Sequence, residues 1–83
     1  MIPERYLLVV LTWMQAHGSS LILNYGEDTE HWECSWITSG TRYLGVRRTL
    51  PDAITECLKC ARIPGSVLVQ IMQESHKRTP HDV

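Results

Sequence analysis

His31-Trp32-Glu33-Cys34-Ser35-Trp36-Ile37-Thr38-Ser39-Gly40-Thr41-Arg42-Tyr43-Leu44-Gly45-Val46-Arg47 is the stretch on which the fold turns. Trp32, Cys34 and Trp36 alternate with Glu33 and Ser35, the period-2 signature of a strand with one buried face. Ser39-Gly40 marks a reversal, and Thr41 to Arg47 reads as the returning strand. A two-residue turn would force Ser39 to positive φ and put Leu44 and Val46 on the face away from the indoles. A three-residue loop with Gly40 left-handed pairs Trp36 with Arg42, Cys34 with Leu44 and Trp32 with Val46. Burial of Leu44 and Val46 favours that second register. It leaves His31, Glu33, Ser35, Tyr43 and Arg47 on the opposite, amphiphilic face.

Working outward, Ser20 to Tyr25 places Leu21, Leu23 and Tyr25 on one side and reads as a first strand. Gly26-Glu27-Asp28-Thr29-Glu30 is a polar turn. On the other flank, Thr49 is an N-cap, Pro51 suits a first helical turn, and Asp52 complements the positive helix end. Leu50, Ala53, Ile54, Cys57, Leu58 and Ala61 form one helical stripe, ended at Ile63-Pro64-Gly65. Pro3-Glu4 opens an earlier helix with Leu7, Val10, Leu11 and Met14 at helical spacing and Gly18 as its stop. A strand over Arg5 to Leu11 also fits this short apolar run. Ser66 to Ser75 fits a helix or a strand, the helix being preferred. The expected class is α+β: α-β-β-β-α, a three-stranded antiparallel meander packed on helices, with a C-terminal helix or strand. One domain spans 1–75, followed by a polar tail, 76–83.

The first helix is apolar on more than one side. Val9 and Trp13 lie off its main stripe and are candidates for a partner or homodimer face.

The 83 residues carry eight Lys and Arg against nine Asp and Glu, net charge -1, so no global field marks a nucleic-acid binder or an acidic mimic of one. Three cysteines make no disulfide framework, and reduced cytosolic thiols follow. The apolar run Tyr6–Leu11 is too short to span a bilayer. Mixed charge before it, and the poor cleavage site Met14-Gln15-Ala16, speak against a secretion signal. A cytoplasmic chain without membrane contact is expected.

His31-x-x-Cys34 and Cys57-x-x-Cys60 together offer four zinc ligands by type. Residues three apart on a strand diverge, however, and Cys57 belongs to an apolar helix stripe, so no metal is expected. Cys57-Leu58-Lys59-Cys60 lies near a helix C-terminus, the wrong end to activate a thiol. No nucleophile–base grouping or phosphate loop is present, so neither catalytic residues nor cofactors are expected. Glu27, Asp28, Glu30 and Glu33 gather negative charge at one end of the sheet, able to meet a basic surface. Arg42, Arg47 and Arg48 beside Tyr43 could instead touch nucleic acid. Cross-strand pairing of Glu33 with Arg47 is the structural alternative.

Leu21 to Ala61 resembles small phage-encoded proteins in which a Trp-bearing hairpin leads into a capped helix. The matching residues are Trp32, Trp36, Gly45, Thr49, Pro51, Asp52 and Ala53. The strand-into-helix step is also similar to HicB-like antitoxin domains. The first resemblance implies an anti-CRISPR or other anti-defence inhibitor acting by stoichiometric binding to a host protein or nucleoprotein complex. The second implies a nucleic-acid-binding regulator. The contacts expected for the first are Glu27, Asp28, Glu30, Glu33, Tyr43 and Arg47.

Overall fold

The computed structural model describes residues 2–78 and shows a three-stranded sheet with helices on one side. A 3-10 turn, Glu4–Tyr6, leads into α1 (Leu7–Ala16). Three strands follow, β1 (Ser20–Gly26), β2 (His31–Thr38) and β3 (Thr41–Arg47), in spatial order β1-β2-β3, all antiparallel. Then come α2 (Leu50–Cys60) and α3 (Gly65–Arg78). The α+β class is as expected, and 66–75 is helical. The helix continues to Arg78, past the expected start of the tail, while residues 79–83 lie outside those described.

Helix α2 forms where the cap chemistry puts it. Thr49 Oγ1 accepts the Asp52 N–H at 3.3 Å, and Pro51 occupies the first turn. Ala53, Ile54, Cys57 and Leu58 are buried. Full burial of side chains such as Ile54 and Leu58 is worth about 1.5–3 kcal/mol each. The helix ends with Arg62 left-handed at φ 61, and Ile63 N–H reaches back to Leu58 O at 3.0 Å.

Helix α1 buries Val10 and Met14 completely, and Ile2 and Tyr6 join the same core. Its C-terminal end is tied to β2. The fully buried Trp36 donates its indole N–H to Met14 O at 2.8 Å, and Thr38 Oγ1 donates to His17 O at 2.6 Å. The first adds to the His17 N–H that Met14 O already accepts at 3.2 Å, and the second gives a partner to His17 O, just past the helix end. Gly18 serves here as space rather than as a left-handed stop. A Cβ there would meet the Trp36 indole, and Ile37 O at 2.6 Å.

The register of the β2–β3 hairpin differs from the expectation. Trp36 pairs with Tyr43, Cys34 with Gly45 and Trp32 with Arg47. The turn has two residues, Ser39 at φ 53 and Gly40 at φ 77, as a type I′ hairpin requires. The reason lies at Gly45. A Cβ there would collide with the backbone of α2, at Ala53 O and, at 2.6 Å, Cys57 N. Only a bare position on β3 lets α2 lie this close. That close approach outweighs both the burial of Leu44 and Val46 and the cost of a left-handed serine.

Two faces follow from the ladder. Toward the helices stand the rows Leu21–Trp36–Tyr43, Leu23–Cys34–Gly45 and Tyr25–Trp32–Arg47. Away from them stand Ser20–Ile37–Arg42, Ile22–Ser35–Leu44 and Asn24–Glu33–Val46.

Candidate protein-binding surface

The surface begins with the face that the helices do not cover. Antiparallel sheets usually show water polar side chains on such a face. Here Ile22, Leu44 and Val46 are 47%, 43% and 40% exposed, with half-buried Ile37 beside them. At the centre is Ser35, only 6% exposed although no helix lies over it. Arg42 folds across it, and its Nε donates to Ser35 Oγ at 2.9 Å. The arginine stem therefore roofs the serine, and aliphatic side chains flank it.

At one end this face runs into the β1–β2 turn. Glu27, Asp28 and Glu30 are all exposed there, and Glu30 is left-handed at φ 56. Glu30 N–H closes the turn onto Gly26 O at 2.7 Å. Glu33, one step into the sheet, is half-buried on the same open face, and His31 Nδ1 lies against Thr29 O. Glu27, Asp28 and Glu30 thus share one exposed turn, next to the end of the open face where Glu33 and Val46 lie in one row.

Tyr43 and Arg47 are not part of it. The observed register turns both to the helix side, correcting their expected place on the amphiphilic face. Tyr43 is partly buried against the core. Arg47 Nη2 pairs with Glu56 Oε1 of α2 at 2.9 Å, so the expected Glu33–Arg47 pairing gives way to this strand–helix bridge. Both partners are partly exposed, and such a bridge is worth about 0–1 kcal/mol. Arg42 and Arg47, five apart on the strand, point to opposite faces in either register, and Tyr43 stays with Arg47. The stacking platform for nucleic acid is therefore divided. Leu44 and Val46, which sequence reasoning sent to the core, are the residues that it missed. The isolated Gly45 inside the strand was the available signal.

On the other side of the molecule, Val9 and Trp13 are half-buried, and Leu8 is 75% exposed. Helix α3 packs alongside, leaving a shallow groove of about 800 Å³ lined by Leu8, Trp13, His17, Val67 and Ile71. Trp13 stacks on His17 with ring centroids 4.3 Å apart. The surplus face expected of the first helix is therefore partly covered by α3 and partly open along this groove.

The thiols are divided as well. Cys34 and Cys57 are buried, whereas Cys60 is exposed. Cys57 Sγ lies 3.4 Å from Tyr43 O. Its hydrogen bond to Cys34, together with burial, pushes the Cys57 thiol well above its ordinary value, and the same bond moves Cys34 down. Cys60 Sγ faces Leu44 O at 3.7 Å and Glu56 Oε2 at 3.9 Å. Among the described residues no three His, Cys, Asp or Glu side chains come together as metal ligands, and no helix is long and apolar enough to cross a membrane.

No family model, curated protein or solved structure matches this chain.

Proposed function

We propose that the chain is a non-enzymatic protein-binding module that occludes its partner by stoichiometric contact through the open sheet face and the acidic turn. The observation that carries this reading is the exposure of Ile22, Leu44 and Val46 on a sheet face that no helix covers, which they share with Ile37 and Glu33 and which ends at the exposed turn of Glu27, Asp28 and Glu30. Exposed aliphatic side chains set among charged ones on an uncovered sheet face mark a contact site. The fitting partner is a protein with an aliphatic patch flanked by basic residues. The basic flank would steer encounter with the acidic turn, and the aliphatic contact would slow dissociation. Inhibition of a host defence complex is the specific form that the resemblance to phage proteins implies. A cytoplasmic setting agrees with three free thiols.

Affinity capture from the host cell, followed by quantitation of the bound protein, tests the reading. The double variant L44E/V46E and the charge reversal E27K/D28K should each lose the captured partner while keeping a native fluorescence and circular dichroism spectrum. Equal capture by both folded variants would overturn it. The nucleic-acid alternative rests on Arg42, Arg47 and Arg48. It requires retardation of DNA or RNA at low salt that disappears as salt rises.

A further inference from the structure

We infer that the free edge of β1 is a self-association site, at which a second copy of this chain adds antiparallel to give one continuous six-stranded sheet. The two sheet edges differ in how they are guarded. A free edge offers a row of unpaired N–H and C=O groups, and natural sheets defend it with charge, proline, bulges or shortness. β3 carries Arg42 and Arg47 near its two ends, and α2 leans on it, with Cys57 and Cys60 thiols reaching Tyr43 O and Leu44 O. β1, Ser-Leu-Ile-Leu-Asn-Tyr-Gly, has seven residues with no charge, no proline and an unbroken ladder to β2. It is also thinly covered on both sides. Ile22 is 47% exposed on the open face, and Tyr25 is 49% exposed on the helix side.

The occupant follows from symmetry and charge. A two-fold axis at Leu23 pairs the strand with itself over its full length: Leu21 with Tyr25, Ile22 with Asn24, and Ser20 with Gly26 of the second copy. Leu21 and Tyr25 make an apolar cross-strand pair on the helix side. The acidic turn, Glu27 to Glu30, lies at only one end of β1. Parallel addition would set two such turns side by side. Antiparallel addition sends them to opposite ends, so like charge favours the antiparallel dimer over the parallel one. The pairing would also join two open sheet faces into one broad surface.

Sedimentation velocity of the purified full chain over a wide concentration range is the first arm. A species of twice the monomer mass is expected for the wild type. I22K and N24K, both at exposed positions, should abolish it with unchanged circular dichroism. L44E, on the far strand, should leave it intact. Leu23→Cys in a Cys60→Ser background should cross-link under mild oxidation, because an axis at Leu23 brings the two Cα atoms within about 4.4–6.8 Å, the span a disulfide needs. A wild type that stays monomeric throughout, or a dimer that persists in I22K and N24K, would overturn the inference. Loss of the dimer to L44E would also overturn it. None of these results touches the partner contact, which the capture by L44E/V46E decides.

Discussion

On one side of the sheet Cys34 and Trp36 are sealed, 0% and 1% exposed; on the other, Leu44 and Val46 stand 43% and 40% exposed. All four are apolar, and they lie on adjacent strands. The difference comes from one missing side chain. Gly45 lets α2 settle onto β3, and once that contact fixes the register, every neighbour along the strand has its face assigned. The closed side holds the molecule together. The open side spends aliphatic area on contact with water, which is why it reads as a binding surface.

The comparison can be broken most forcefully at Gly45. Gly45→Val places side-chain atoms inside the α2 backbone. A loss above about 3 kcal/mol in urea denaturation is expected, beyond the usual range for overpacking because backbone must move. A neutral effect would mean that α2 is not seated there. Next comes Trp36→Phe, which removes the donor to Met14 O and leaves a gap beside it. A loss of about 2–3 kcal/mol is expected by the same measurement.

The buried thiols give a pH test. Cys57 in the folded state is raised above the ordinary 9.0. A raised folded value means that its contribution to stability is complete below the unfolded value and declines as pH climbs past about 9. Cys34, moved down by the same hydrogen bond, acts in the opposite sense below about pH 9, so the urea midpoint should fall only above about pH 9, and Cys57→Ala should flatten that slope. An unchanged slope in the variant would assign the pH dependence elsewhere.

Smaller effects sharpen the picture at the turn and on the open face. Ser39→Asn, which gives the Asn-Gly sequence that type I′ turns prefer, should stabilise by about 0.5–1 kcal/mol, read from thermal unfolding. Leu44→Ser should change stability by no more than about 0.5 kcal/mol, although the same substitution in a core would cost several-fold more. A large loss at Leu44 would show that the open face is covered.

Much of this architecture is legible in the sequence. Alternation sets the strands, and Thr49-Leu50-Pro51-Asp52 sets the start of α2. The apolar stripe from Leu50 to Ala61 sets its buried face. The hairpin register was not recovered from burial alone. Leu44 and Val46 make a strong local argument for the core. The opposing argument, clearance at Gly45, is visible only when the helix that follows is placed against the strand. The acidic turn was readable because like charges cluster in a loop. The aliphatic half of the site was not, because exposed and buried Leu or Val look alike in a string of letters.

The most direct test of the two-faced sheet is side-chain NMR with a soluble paramagnetic probe. Methyl signals of Ile22, Leu44 and Val46 should broaden strongly, while Ile54, Val10 and the Trp36 indole stay sharp. Shielded Leu44 and Val46 methyls, together with broadened Tyr43 ring signals, would mean the other register and would contradict the account.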